Sequence, residues 1–270
     1  MTAALAPTRN IGDTGLRVTQ ARVLLSEWTK FRSLRSTVST LLSAVVLLIG
    51  LGAMFAAISA SQSAGFEPGA TAISRSLIGT FFAQLAVGVL GVLLITGEYS
   101  TGMIRSSLTV VPSRLPMLWG KLAVFAVTVF VTMLTASVTS FFVAQALLGE
   151  QHNASLSDPG ALRSVVGAAL YVTVAGLTAV ALGALLRNTA AAITTFVAVF
   201  FVIPPLTQLL PASLTDHFAQ YLPSNAGAVM FDGTFLVAHP LTPSTGLAVM
   251  CGYAVVLIGF AAWRLRRVDA

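Results

Sequence analysis

Residues 38–60 read VSTLLSAVVLLIGLGAMFAAISA, a stretch without a single charged side chain. An apolar run of about 20 residues is long enough to cross the hydrocarbon core of a bilayer as one helix. Five further runs have the same character and are separated by polar, proline- and glycine-containing connections. The sequence therefore predicts an all-α polytopic membrane protein with six transmembrane helices, at about 38–60, 77–96, 118–148, 162–186, 190–210 and 245–263.

The composition supports this fold class. The chain has 270 residues, of which 9% are charged and 56% apolar, and its mean hydropathy is +0.88. A soluble domain carries about 25% charged residues, and a disordered chain needs low hydrophobicity, so both classes are excluded. The single cysteine, Cys251, rules out an internal disulfide framework. Its apolar neighbours predict a buried, inert thiol.

The distribution of basic residues predicts the orientation in the membrane. With a cytoplasmic N-terminus, thirteen of the fifteen Lys and Arg residues lie on the inner side, as the positive-inside rule requires. We expect a cytoplasmic N-terminus at 1–36, a transmembrane domain at 37–263, an outside segment at 211–243 and a cytoplasmic tail at 264–270. The net charge of +6 then reflects topology and contact with anionic membrane lipid rather than nucleic-acid binding.

The predicted spans lack the residues that several membrane activities require. No span interior contains a carboxylate or a histidine, and Glu98 and Lys121 lie at the inner boundary. Ion-coupled carriers usually carry intramembrane ionisable groups, and an intramembrane hydrolase needs a base beside its nucleophile. Both classes are disfavoured, although backbone carbonyls of a broken helix could still bind Na⁺.

The chain also lacks a phosphate-binding loop of its own. Its two lysines are followed by Phe31 and Leu122, so the pattern G-x-x-x-x-G-K-[ST] is absent. We therefore expect no enzyme activity, no cofactor and no metal in this chain. If it transports actively, ATP and Mg²⁺ belong to a separate ATPase subunit.

Residues 19–35, TQARVLLSEWTKFRSLR, form a candidate amphipathic helix. Apolar residues recur at spacings of three and four at Val23, Leu24, Trp28, Phe31 and Leu34. The charged residues lie mostly elsewhere around the helix: Arg22, Glu27, Lys30, Arg32 and Arg35. This pattern predicts a helix in the headgroup plane with an aromatic anchor and snorkelling cations. The helix is either a simple membrane anchor or an elbow that also docks a cytosolic partner. Its candidate interfacial residues are Arg22, Glu27, Trp28, Lys30, Phe31, Arg32 and Arg35.

The connection between the second and third spans, 96–121, is the second candidate site. Ser100 or Thr101 can cap a short helix at about 100–111, and Pro112 stops it before the third span. Contact with lipid does not account for a partly apolar helix that stands off the inner face. Such a helix is typical of a partner-binding element. A solvated loop is the alternative interpretation.

Two further regions have open interpretations. Pro204 and Pro205 predict a break in the fifth helix near its outer end. Short helices at 214–221 and 226–236 are expected to dip into the outer leaflet, with an irregular loop as the alternative.

Four polar residues are candidates for lining a pathway. Bonding between helices is an equal alternative for the glutamines, and close helix packing is the favoured interpretation for the threonines. They are Gln84, Thr128, Thr132 and Gln145.

Two motifs carry a resemblance to a known family. SEWTKFRSLRST at 26–37 and GEYSTGMIRSSLTVVPSRLPMLWGK at 97–121 resemble the permease subunits of ABC-2-type transporters from high-G+C bacteria, and the excess of Arg over Lys fits such a genome. The resemblance covers the whole chain and implies the ABC-2, type V exporter-like fold. It also implies that 100–111 is the coupling helix that docks on the ATPase. The implied ATPase-coupling residues are Glu98, at the hinge, with Tyr99, Ser100, Thr101, Gly102, Met103, Ile104, Arg105 and Leu108.

The resemblance further implies an ATP-driven exporter of the bacterial cell membrane. Two copies of this permease, or this chain and a homologous permease, would assemble with two ABC ATPase subunits. The sparse charge favours an amphipathic substrate such as a drug, natural product, peptide or lipid. The alternatives are a carrier or channel without an ATPase, and a membrane subunit that transmits ATPase motion without transport.

Overall fold

The computed structural model describes residues 20–61, 70–100, 114–149, 154–211, 215, 218–231 and 239–267. Within these ranges the chain is helical and contains no strand. The described part of the chain includes six helical segments long and apolar enough to cross a membrane. The expected all-α polytopic fold is confirmed.

The N-terminal half contains five described helices. A short helix precedes the first span, and a seven-residue helix with a three-residue turn leads into the second. The helices are α1 (Gln20–Ser33), α2 (Arg35–Ser61), α3 (Ala70–Ser76), α4 (Thr80–Ser100) and α5 (Arg114–Leu148). α2, α4 and α5 are the first three spans. At 35 residues, α5 is about 50 Å long, which exceeds the thickness of about 30 Å of a bilayer's hydrocarbon core.

The C-terminal half contains the remaining three spans and an outer segment. The fourth span is α6 (Ala161–Leu186), and the fifth runs from α7 (Thr189–Val197) through a π turn (Ala198–Val202) and α8 (Ile203–Leu206). The outer segment includes the 3₁₀ turn Ala219–Tyr221, α9 (Pro223–Ala228) and the 3₁₀ turn Val229–Phe231. The sixth span is α10 (Pro243–Arg267).

Helix α6 lies at the centre of the bundle because small residues let its neighbours approach closely. It packs against α4, α5, α7 and α10, and most of its residues are buried. A Cβ added at Gly91 of α4 would lie 2.6 Å from the Gly176 carbonyl oxygen of α6. Small residues at such positions allow backbone-to-backbone packing within a membrane. Ala175, Ala179 and Gly183 are likewise buried.

The fifth span does not break at its two prolines, contrary to the sequence expectation. The helix instead widens just before them, and the Ile203 N–H donates to the Ala198 carbonyl oxygen across five residues. A proline lacks an N–H and its ring crowds the carbonyl four residues earlier. The π turn absorbs that conflict, so the helix continues through Pro204 and Pro205 to Leu206.

Between Pro223 and Phe231 the outer segment is packed into the bundle. Of the expected helix at 214–221, the described residues 215 and 218 are α-helical and Ala219–Tyr221 forms a 3₁₀ turn. Of the expected helix at 226–236, only 226–231 are described, and they belong to α9 and the 3₁₀ turn Val229–Phe231. All residues from Pro223 to Phe231 are buried. Glycines allow this burial, since a Cβ at Gly167 of α6 would overlap the Met230 carbonyl oxygen, and one at Gly246 of α10 would overlap that of Ala226.

The expectation of a buried Cys251 is wrong. Its thiol is exposed on the outer face of α10, where added Cβ atoms at the neighbouring Gly252 and at Gly259 would meet open space. The reason is that this face of a membrane helix can be apolar without being covered by protein, because lipid replaces the core as the apolar surroundings.

Candidate coupling site at the inner ends of the helices

Four charged residues form a cluster where α1, α4 and α5 meet, which we call the ionic junction: Glu27, Lys30, Glu98 and Lys121. Lys121 on α5 lies at its centre. The Lys121 Nζ donates to Glu27 Oε2 at 2.7 Å and to Glu98 Oε1 at 2.8 Å. All three side chains are at most 9% exposed. A single buried ammonium therefore ties α1 and the end of α4 to α5.

The fourth member, Lys30, closes the cluster at its solvent side. Its Nζ donates to Glu27 Oε1 at 2.8 Å and lies 3.8 Å from Glu98 Oε1. The Lys30 side chain is 38% exposed, so this pair is screened more strongly than the buried contacts of Lys121. Two carboxylates face two ammonium groups, which leaves the junction neutral and pairs each buried charge, as burial requires.

Helix α1 reaches the junction through one buried face. Val23, Glu27 and Phe31 follow each other at intervals of four residues and are the buried residues of α1. The Phe31 ring packs edge-on against Phe125 of α5 with centroids 6.4 Å apart. At Gly120, one residue before Lys121, a Cβ would meet Val23 at 3.0 Å. The absence of a side chain at this position lets α1 lie directly on α5.

This arrangement corrects the predicted face of α1. The sequence pattern grouped Glu27 with the polar side and Phe31 with the lipid-anchoring side, whereas both pack inward. Trp28 remains exposed, as do Leu24 and Leu25, and these residues are left to contact the membrane. A carboxylate can join the buried face because Lys121 neutralises it from another helix, a partner that the α1 sequence cannot reveal.

The environment of Glu27 sets its protonation. Burial alone would raise the pKa of its carboxyl, but the charge and hydrogen bond of Lys121, together with those of Lys30, lower that pKa below its ordinary value. Glu27 is therefore ionised at neutral pH. A lowered folded-state pKa contributes stability above the unfolded-state pKa of about 4.3, and that stability disappears as the pH falls through the folded value.

This sign predicts a specific pH dependence. The difference in thermal unfolding midpoint between the wild type and Glu27→Gln is expected to stay constant from pH 8 to about pH 5 and to shrink below about pH 4. Thermal unfolding in detergent across this pH range measures it. A difference that changes between pH 8 and pH 6 would contradict the proposed environment of Glu27.

Tyr99 has a different partner from Glu98. It is the last residue of the expected coupling set whose side chain the structure describes. The guanidinium carbon of Arg187 lies 5.2 Å from the centroid of its ring, within the range of a cation–π contact. Ser100 is the last residue of α4. The expected coupling residues Thr101, Gly102, Met103, Ile104, Arg105 and Leu108 lie outside the described residues.

The other expected interfacial residues divide between the junction and the surface. Glu27 and Lys30 belong to the ionic junction, and Phe31 is buried beside it. Arg22, Arg32 and Arg35 are exposed, as is Trp28, which leaves cations and an indole ring available to headgroups.

The candidate pathway residues occupy distinct environments. Gln84 is fully buried, and its side chain lies beside the Tyr171 hydroxyl, yet neither group meets hydrogen-bond geometry. Gln145 Oε1 accepts from the Ala154 N–H at 2.7 Å, which ties Ala154 to the end of α5. Thr128 donates to the Val124 carbonyl of its own helix, and Thr132 is half-buried.

Sequence reasoning found Glu98 but did not place Lys121 in the site. One signal was available, since Lys121 is an isolated cation within the long apolar third span and lies 23 residues after Glu98. A lone charge at the end of a span favours a charged partner nearby. The described residues contain no group of three His, Cys, Asp or Glu side chains that could hold a metal ion.

No curated protein matches the chain at a significant level. The model of the family described as "ABC-2 family transporter protein" matches residues 23–205, from the buried face of α1 through the first five spans, including the ionic junction. This match spans more than half of the 270 residues. The chain therefore belongs to the ABC-2 transporter family and is a membrane permease component of an ABC transporter.

Proposed function

We propose that this chain is the permease subunit of an ATP-driven exporter and that the ionic junction transmits movement of the 101–113 segment to the helices. The observation that carries the proposal is the position of the junction. Glu98 immediately precedes that segment and Lys121 follows it, and the two side chains join at 2.8 Å. Both ends of the expected coupling element are therefore tied to α1 through Glu27.

The junction suits force transmission because it is stiff. Its central contacts are short, charge-assisted hydrogen bonds between buried groups, and such bonds are about twice as strong as neutral ones. Separating them would expose unpaired charges to an apolar environment, which is strongly unfavourable. A displacement of the segment is thus more easily met by movement of α1, α4 and α5 together than by breaking the junction.

The proposed assembly contains two permeases, either two copies of this chain or this chain with a homologous permease, and two ABC ATPase subunits. ATP and Mg²⁺ are bound by the ATPases, and this chain supplies no catalytic residue. Its remaining contacts are with membrane lipid, through α1 and the apolar outer faces of the spans. The sparse charge of the spans supports an amphipathic substrate, such as a drug, natural product, peptide or lipid.

The proposed orientation, with both termini cytoplasmic in a bacterial cell membrane, is tested by cysteine labelling. In a Cys251→Ser background, Ser157→Cys in the loop before α6 should react with an impermeant maleimide in intact cells. Ser33→Cys at the end of α1 should react only after the cells are opened. Both serines are exposed, so accessibility within the protein is matched. The reverse labelling pattern would invert the topology.

The coupling assignment is tested with one substitution before the segment and one within it. Glu98→Gln and Arg105→Ala are expected to lower ATPase association and export of amphiphilic dyes, while membrane insertion stays intact. Co-purification with the ATPase and dye efflux from cells measure these effects. Arg163→Ala, which changes a cation at the opposite end of the bundle, is the matched control and should behave like the wild type.

The outcomes separate the three candidate functions. Unchanged association and export in Glu98→Gln and Arg105→Ala would sink the coupling assignment. Export that continues without any ATPase would favour the carrier or channel. Association that depends on Glu98 and Arg105 without any dye export would favour a subunit that transmits ATPase motion to another task.

A further inference from the structure

We infer that Arg187 is a second positioning residue of the coupling site. Through its contact with the Tyr99 ring, Arg187 links the end of α4 to the fourth, fifth and sixth spans. This inference rests on the proposed function, because it assigns a second route to the same movement. The ionic junction connects α4 only to α1 and α5. The contact between Arg187 and Tyr99 at 5.2 Å connects the neighbouring residue of α4 to the opposite side of the bundle.

Arg187 occupies an unusual backbone conformation. It is the only non-glycine residue with a positive φ in the described part of the chain, at φ 52° and ψ 15°. It ends α6 by donating its N–H to the Gly183 carbonyl at 3.0 Å. Glycine is the residue that normally fills such a left-handed helix end without strain. A strained arginine where glycine would serve better points to a role for its side chain.

The turn that contains Arg187 is joined to three spans. Asn188 caps α7 by accepting from the Ala191 N–H at 2.9 Å, so α6 and α7 meet within two residues. From the sixth span, Arg264 donates to the Leu185 carbonyl oxygen. A force on Arg187 therefore acts on α6, α7 and α10 together, and none of these helices contributes a residue to the ionic junction.

Two consecutive residues at the end of α4 make the two contacts. Glu98 points to Lys121, while the next side chain, Tyr99, lies against Arg187. Consecutive helical residues project about 100° apart, so one short stretch of α4 can engage both sides of the bundle. Both side chains directly precede the 101–113 segment, and any movement of that segment reaches both routes.

The test compares spans on the two routes in the assembled permease–ATPase complex. Bimane reporters are placed, in a Cys251→Ser background, at Ala190→Cys on α7 and at Ser39→Cys on α2, which follows α1 and packs against α5. Both positions are exposed and lie near the inner ends. Each reporter is measured with ATP and vanadate and without them. In Arg187→Gly the ATP-dependent emission change is expected to fall about fivefold at position 190 and to persist at position 39.

Variants of both partners separate this role from a structural one. Arg187→Gly relieves the backbone strain, so its thermal midpoint should equal or exceed that of the wild type. Tyr99→Leu should reproduce the loss at position 190, whereas Tyr99→Phe, which retains the ring, should restore the response. If Arg187 only ends the helix, the reporter at position 190 responds normally in Arg187→Gly and the inference is overturned.

The two proposals fail in distinguishable ways. A wild-type complex in which neither reporter responds to ATP would overturn the proposed function and this inference with it. A normal wild type with equal losses at positions 39 and 190 in Arg187→Gly would overturn only the second route. A loss at position 190 alone supports it.

Discussion

Replacing Lys121 with methionine is expected to be among the most damaging single substitutions in the described part of the chain. Methionine fills a similar volume but leaves the Glu27 and Glu98 carboxylates buried. Their only remaining counterion in the junction is the more exposed Lys30, whose Nζ lies 2.8 Å from Glu27 but 3.8 Å from Glu98. Removing one partner of a buried ion pair costs about 3–5 kcal/mol. The thermal midpoint of the purified permease should fall strongly, and ATPase association should fall with it.

A matched control and a compensating variant make this prediction specific. Lys30→Met removes the same charge from a side chain that is 38% exposed, and its effect should not exceed about 1 kcal/mol. Combining Lys121→Met with Glu27→Gln and Glu98→Gln removes the unpaired charges, so much of the stability should return. If the triple variant also recovers wild-type coupling to the ATPase, the junction stabilises the fold without transmitting movement.

Gly167→Ala is the second substitution with a large expected effect. Its Cβ would overlap the Met230 carbonyl oxygen and approach the Met230 carbonyl carbon at 2.8 Å. Both are backbone atoms of the buried outer segment, and backbone cannot move aside as a flexible side chain can. Overpacking of this kind costs about 1–3 kcal/mol, and we expect the segment between Pro223 and Phe231 to be displaced from α6.

The measurement combines stability with local structure. The thermal midpoint should fall, and hydrogen exchange should increase in the peptides that cover 223–231. Gly252→Ala on α10 is the control, because its Cβ would meet open space and the same change in helix propensity applies. Equal midpoints for the two variants would mean that the outer segment does not depend on close contact with α6.

The ionic junction shows where prediction from the sequence stopped. The spacing of apolar residues located α1 and the apolar runs located the spans, since both patterns depend only on neighbours along the chain. The partner of Glu27 lies 94 residues away, and no local pattern identifies it. Glu27 was therefore assigned to the polar face of α1, although it lies between two buried apolar residues.

The fifth span shows the same limit of prediction from the sequence. Pro204 and Pro205 indicated a disturbance in the helix, but whether a helix breaks or widens depends on how its neighbours support it. Phe196 and Phe200 stack at 4.6 Å, and a Cβ at Gly88 of α4 would overlap the Phe196 ring. This close packing against α4 supports the helix at the π turn, so the span stays continuous.

The sequence by itself determined the six spans, the amphipathic helix and the clustering of basic residues. These features follow from the free energy of transferring each segment between water and lipid, which depends on the residues of that segment alone. The tertiary structure decided which charges pair, which glycines bring backbones together and which faces stay open to lipid. Those features depend on side chains from distant segments meeting in three dimensions. Glu98 was a lone carboxylate at a span end in the sequence, and in the folded protein it joins three helices through Lys121.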